Sequence, residues 1–417
     1  MMGSQKIYIY ISLDTQDVSV GILYFHSRNG RESASFEYTP EWLASPERFA
    51  LEPGLQLTEG SFHTRQGLAL FGALGDSAPD RWGRILMRRS EERRAMGAGA
   101  HGDGNRGPAR TLTELDYLLG INDDARQGAL RFRETAEGPF LSPRDKNAIP
   151  PLFALPKLLS ASESFLDSNE SDEDLRLLLA PGSSLGGARP KASVYEKDGS
   201  LAIAKFPRKD DEFNTVLWEA LAFTLATNAG ITVPIWRLEQ VLDKPVLIIK
   251  RFDRRFQTRI PFLSAMSMLG AQDNEQHSYL EIAYALARYG ASPEKDLAEL
   301  WRRIVFNILI ANTDDHLRNH GFLYERHKGW RLSPAYDMNP TPLSLGKRIL
   351  STAIDLTSRE ASLDTALSVI ADFRLRKSEA EGIIQTVVDA IKPWKELARN
   401  LGLDRTEIER MSSAFEY

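Results

Sequence analysis

NTDDHLRNHGFLY (312–324) and SPAYDMNP (333–340) are the two stretches on which the reading of this 417-residue chain turns. The segment that leads into them, LWRRIVFNILIAN (300–312), has the apolar spacing of a long helix. It stops at a cluster of Asn, Thr and Asp, residues that compete for backbone hydrogen bonds and so mark turns. GFLY then reads as a strand, with WRL (330–332) as its hairpin partner. A third piece, Tyr336-Asp337-Met338, follows that hairpin.

A phosphoryl-transfer site needs a carboxylate beside the attacking hydroxyl. It also needs hard oxygen ligands for magnesium, here an amide or carboxylate oxygen and a second carboxylate. Protein kinases place the catalytic-loop Asp five positions before the metal-binding Asn. Asp314 precedes Asn319 by that spacing, and Asp337 follows 18 residues later, beyond the hairpin. Any one of these residues, or Asp315 beside them, is more often a helix cap or a turn residue. The ordered set of acid, amide, hairpin and acid points to phosphoryl transfer. His316 and His320 have the i, i+4 spacing of a metal pair, but magnesium between carboxylate and amide oxygens accounts for the neighbourhood better than zinc.

Working outward, PGSSLGGARPKASV (181–194) is a loop whose glycines let successive N–H groups approach phosphate oxygens, with Arg189 and Lys191 adding charge. It is not a Walker motif, and alone a Gly-Ser loop is more often only a loop. KASVYE, a turn at 197–200 and LAIAKF read as a hairpin over 190–206. Lys205 lies among apolar strand neighbours and needs an anionic partner, either an ATP phosphate or Glu219 on the following helix (213–229, read as amphipathic); the plainer alternative is an edge-strand lysine facing solvent. PVLIIKRF (245–252) reads as a buried strand placed where a kinase hinge offers backbone groups to adenine, with Phe252 available for stacking.

Further out, IYIYIS (7–12) and VSVGILY (18–24) have the composition of strands. Residues 79–95 read as a helix with Pro79 near its first turn, 113–120 as a short helix and 128–133 as a strand. Gly-rich 97–110 reads as a loop, and proline-rich 138–151 as a connector. Helical spacing dominates from about 277, interrupted by a loop-rich stretch at 312–345. The net charge of −5 provides no broad basic field, and Glu91 and Glu92 interrupt the arginines of 79–95, which read as a solvated face rather than a nucleic-acid surface. The absence of cysteine excludes disulfides, thiolate zinc sites and cysteine nucleophiles. With no apolar run approaching about 20 residues and no signal-peptide pattern at MMGSQKIYIYISLDT, a cytoplasmic protein without a membrane partner is expected.

Together, PDRWGR (79–84), GSSLGGARPK, the AKFP lysine, KRFDR, NTDDHLRNHGFL and LSPAYDMNP resemble the successive signatures of the HipA family of toxin serine/threonine kinases. The matches run from about residue 79 to 340. The resemblance implies an α+β, kinase-like bilobal fold: an extra β-rich amino-terminal subdomain over 1–140, a small lobe with the phosphate-binding loop over 150–256 and a mainly α-helical catalytic lobe over 257–417. It implies ATP and Mg2+ as cofactors, Asp314 as catalytic carboxylate, Asn319 and Asp337 as metal ligands, and Lys205 on the phosphates. The loop Ser184, Leu185, Gly186, Gly187, Ala188, Arg189 and Lys191 would cradle phosphate. Lys250, Arg251 and Phe252 would lie at the adenine hinge and His316 beside the nucleotide site, holding the loop. Ser184 matches the serine whose autophosphorylation inactivates the family, with Ser183 the alternative one residue away. Also implied are a protein substrate, in some relatives an aminoacyl-tRNA synthetase, and a small DNA-binding antitoxin through which DNA is met indirectly. The alternative is a catalytically weak nucleotide-binding module that acts through that partner.

Overall fold

The alternation in Ile7-Tyr8-Ile9-Tyr10-Ile11 becomes a strand with one dry face: β1 (Ser4–Leu13) buries the three isoleucines and leaves both tyrosines partly exposed. The computed structural model describes residues 4–14, 16–97, 109–141, 149–179, 187–255 and 258–416. They form two units: Met1–Lys209 with Val241–Lys244 and Asp253–Leu263, and Asp210–Gln240 with Pro245–Phe252 and Ser264–Tyr417.

In the first unit β1 joins β2 (Gln16–Arg28), β3 (Arg31–Tyr38), β4 (Phe62–His63) and β5 (Leu130–Arg133) in an antiparallel sheet of order β4-β3-β2-β1-β5. Sequence reading passed over β3, although Asn29-Gly30 between β2 and β3 is a strong two-residue hairpin signal. Both residues have positive φ, 50° and 75°, as the favoured hairpin turn requires. The helices described in this unit are α1 (Pro40–Ala44), α2 (Gly72–Gly75), α3 (Arg81–Gly97), α4 (Glu114–Leu119), α5 (Leu155–Leu166) and α6 (Asp172–Leu179). Asp80 caps α3, its Oδ1 accepting the Gly83 N–H at 2.9 Å, so the helix begins just past Pro79. The hairpin expected at 190–206 is present as β6 (Lys191–Tyr195) and β7 (Leu201–Lys205), with Lys191 directly opposite Lys205.

The second unit is mainly helical. α7 (Thr215–Asn228) was expected to be amphipathic, yet Val216–Phe223 are all buried. The reason lies in VLWEALAF, whose sole polar residue, Glu219, is itself buried. β8 (Trp236–Val241) and β9 (Lys244–Lys250) come next; Leu242 and Asp243, which join them at positive φ, are counted with the first unit. α8 (Ala265–Leu269), α9 (Tyr279–Tyr289) and α10 (Pro293–Leu309) precede the antiparallel hairpin of β10 (Gly321–Glu325) and β11 (Gly329–Leu332). α11 (Leu363–Ser368), α12 (Lys377–Ile391), α13 (Trp394–Asn400) and α14 (Arg405–Met411) complete the unit. The irregular stretch after β11 runs to Ser362, longer than the expected 345. It is pinned rather than loose: Ser351 donates through both its N–H and its Oγ to the Thr313 carbonyl, each at 2.9 Å, and Thr352 Oγ1 donates to the Asp315 carbonyl at 2.7 Å. Among the described residues no helix is long and apolar enough to cross a membrane.

Candidate active site

In the second unit, α10 ends at Leu309 and the chain reverses through Ala311, whose φ of +50° is costly for a residue with a Cβ. That reversal presents Asn312–His320 as a loop built around one buried carboxylate. Asp315 Oδ2 accepts from the Tyr279 hydroxyl of α9 at 2.5 Å and from Asn307 Nδ2 of α10 at 2.7 Å, and His320 Nε2 lies 2.8 Å away. Burial alone would raise the Asp315 carboxyl, but the His320 and Tyr279 contacts overcome it and hold the group below its ordinary range. Asn312 extends the network by donating to Asn307 Oδ1 at 3.0 Å. His320 therefore faces Asp315, not a shared metal site with His316. Of this anchor, Tyr279, Asn307 and Asn312 escaped sequence reading, although an asparagine on the apolar face of a long helix was an available signal.

The anchored loop presents the predicted residues. The Asp314 carbonyl accepts the His316 N–H at 2.9 Å and Asn319 Nδ2 at 3.1 Å, which curls 314–319 into a short turn. Asn319 is buried, and its Oδ1 has no hydrogen-bond partner among the described residues. His316 Nδ1 is orphaned in the same way. The Asp314 side chain is exposed, yet its carboxyl is raised above the usual value. Partial loss of water is the main cause; His316 opposes it, and the charges of Asp337 and Asp315 add to it. Asp337 thus lies within electrostatic reach of Asp314. It has φ +57°, a left-handed backbone strained for a non-glycine residue.

The loops are joined through Tyr336. Its hydroxyl donates to the Arg318 carbonyl at 2.7 Å, and its ring packs 5.5 Å from the ring of Phe252, tilted by 30°. The end of the β9 strand, the Asp337 loop and the 314–319 turn therefore meet in one place. Arg251 is buried, and the Lys250 N–H is already given to the Ile235 carbonyl at 2.8 Å.

Asn319 suits a magnesium ligand. Its amide nitrogen is tied down, which leaves the oxygen as a dry acceptor awaiting a partner. Among the described residues no cluster of three or more His, Asp or Glu side chains is placed to hold a metal by itself.

The other predicted residues belong to the first unit. Ser184, Leu185 and Gly186 lie outside the described residues. Gly187 has φ +84°, Ala188 is partly buried and Arg189 exposed. Lys205 ends β7, partly buried. Lys191, expected to face phosphate, is buried, with its ammonium 2.8 Å from Asp80 Oδ2. The arginines of α3 are largely occupied: Arg84 grips Glu114 through both terminal nitrogens at 2.6 and 2.7 Å, and Arg89 and Arg93 converge on buried Glu170.

The sequence profile of the HipA-like C-terminal domain family matches residues 183–394, just over half of the chain. Among curated proteins, the chain is 25% identical to a Sinorhizobium fredii protein named "Putative kinase Y4mE" over 413 residues, covering 87% of this chain and 89% of that one. It is 27% identical over 208 residues to a Haemophilus influenzae protein named "Putative kinase", covering 43% of this chain and 59% of the relative. Among solved structures it is similar to HipA of Shewanella oneidensis, solved with HipB and operator DNA. That match has a TM-score of 0.68, covers 98% of this chain and 95% of the other, and has 16% identity, a likeness of fold.

Proposed function

Because the chain belongs to the family defined by the HipA-like C-terminal domain, we propose that it is an ATP- and magnesium-dependent protein kinase that transfers the γ-phosphoryl group to a serine or threonine of a protein substrate. The observation that carries this reading is the buried Oδ1 of Asn319, partnerless among the described residues, on the turn that also bears Asp314, with Asp337 close enough to shift the Asp314 carboxyl. Asn319 and Asp337 would hold the magnesium, which supplies charge neutralisation on the phosphates. Asp314 orients the attacking hydroxyl. An ordinary aspartate is a weak base at neutral pH, and the upward shift of Asp314 moves it toward its task; in a loose transition state positioning matters more than early proton removal. Lys205 contacts the phosphates, the loop through Gly187 cradles them, His316 steadies the turn, and Lys250–Phe252 border the adenine.

In the same reading Ser184 is the site of autophosphorylation, and roughly two added negative charges there would drive the loop away from bound ATP. The chain acts in a toxin–antitoxin pair, held by a small DNA-binding antitoxin and reaching DNA through it. The complex of the solved Shewanella oneidensis HipA with HipB and operator DNA supports this placement. The three-part division at 1–140, 150–256 and 257–417 goes with the proposal. The test is transfer from labelled ATP by the full chain. Asp314→Ala and Asp337→Ala should each lower it by about a thousandfold or more with the fold intact. A wild-type rate in either variant overturns the assignment, and nucleotide binding without transfer in the wild type favours the non-catalytic module.

A further inference from the structure

PDRWGR (79–84) lies far from the proposed catalytic turn in sequence and has no part in the chemistry above, yet it is heavily engaged with the phosphate-loop arm. The contacts described next, to Gly187 and Lys191, lie within the first unit. Asp80 uses its two oxygens differently: Oδ1 caps α3 at the Gly83 N–H, and Oδ2 takes the Lys191 ammonium at 2.8 Å. Trp82 contributes twice, its backbone N–H donating to the Gly187 carbonyl at 3.3 Å and its indole Nε1 to the Lys191 carbonyl at 3.0 Å. Lys191 Nζ closes the ring by donating to the Gly187 carbonyl at 3.3 Å. The first turn of α3 therefore grips both ends of Gly187–Lys191, the arm by which the phosphate loop enters β6.

Charge gives this grip a second purpose. Lys191 and Lys205 are direct cross-strand partners, so their side chains leave the same face of the hairpin. Two ammonium groups opposed in this way repel each other. Asp80 neutralises the buried one, Lys191, and so relieves that repulsion. Trp82 is itself fixed by burial and by an edge-to-face contact with Phe165 at 5.2 Å.

We infer that Asp80 and Trp82 are positioning residues for nucleotide: they hold the Gly187–Lys191 arm in its phosphate-binding shape and make Lys191 a strut rather than a phosphate ligand. This rests on the kinase reading. Asp80→Asn keeps the cap, since asparagine caps as well as aspartate, and removes only the charge on Lys191. The full chain carrying Asp314→Ala is titrated with MgATP by calorimetry, alone and with Asp80→Asn, Lys191→Met or both.

Each single change should weaken MgATP binding by about tenfold, and the pair should be no worse than the worse single change, because both break one interaction. In the active chain, KM for ATP should rise while kcat at saturating ATP stays within about twofold. A merely destabilised protein would instead lose kcat at unchanged KM. Trp82→Phe, which keeps the ring and removes the indole donor, should weaken binding by about threefold, and serves where Asp80→Asn does not fold. Additive losses, or variants that bind MgATP like their parent, overturn the clasp and leave the kinase reading standing. A parent chain that fails to bind MgATP removes both.

Discussion

At the scale of single residues, the proposed site depends on one aspartate that does no chemistry. Asp315 sits next to Asp314 in sequence but points inward, where Tyr279, Asn307 and His320 converge on one of its oxygens. The acid expected to act is exposed, and the acid that organises it is dry. Tyr279→Phe removes one donor from a buried charge without leaving a large cavity, so it should cost about 1–3 kcal/mol of stability. It should also lower phosphoryl transfer by loosening the turn. Denaturant midpoints and kcat measured together test this; a variant matching the wild type in both would detach Tyr279 from the site. Strain belongs to the same scale. Ala311, just ahead of the 314–319 turn, and Asp337, beyond the hairpin, both have left-handed φ, and each costs on the order of 1 kcal/mol or more that the surrounding bonds must offset.

At the scale of elements, α10 carries the site. Its apolar face is buried through Leu300, Trp301, Ile304, Val305, Phe306 and Ile308, so its end cannot shift without disturbing the core. Trp301 ties it to α11 by donating from Nε1 to the Ala366 carbonyl at 3.1 Å. Trp301→Phe loses that bond and part of the packing and should destabilise the second unit by about 1–3 kcal/mol. Thermal unfolding followed by circular dichroism is the check, and an unchanged midpoint would show that α11 lends α10 no support. The long stretch after β11 behaves as part of the site because Ser351 and Thr352 bond to the carbonyls of Thr313 and Asp315.

At the scale of the whole molecule, charge and pH matter more than any single contact. The chain carries a net charge of −5, and Arg84, Arg89, Arg93 and Arg94 of helix α3 are paired with Glu114, Glu170 and Glu91. Direct attraction to a nucleic-acid backbone therefore has little to draw on. Glu52, in the first unit, makes stability depend on pH. Burial pushes its carboxyl up to about 7, against the Ala73 N–H bond at 2.6 Å that pulls it down. The unfolded chain ionises it near pH 4.3, so its contribution is complete below that value and is lost as pH rises toward about 7. Glu52→Gln keeps an acceptor for Ala73 and should flatten this decline, gaining on the order of 3 kcal/mol relative to wild type between pH 4 and 8. Parallel stability curves for the two proteins would refute it.

The elements that sequence alone determined are those set by local chemistry. β-branched and aromatic residues marked β1, turn residues closed the β6–β7 hairpin, GFLY and WRL marked the strands of the β10–β11 hairpin, and apolar spacing marked α10. The order Asp314, Asn319, Asp337 marked a candidate site because spacing along the chain is itself the signal. β3 was legible at Asn29-Gly30 but passed unread. The full burial of α7 was hidden because an isolated helix does not say whether its second face is covered. Only tertiary structure decided which charges meet. Lys191 meets its carboxylate in Asp80, 111 residues earlier, and Asp315, readable only as a cap or turn residue, is enclosed by Tyr279 and Asn307. The physical reason is common to both cases: a buried charge is tolerated only beside its partner, and a partner distant in sequence is found by folding, not by spacing.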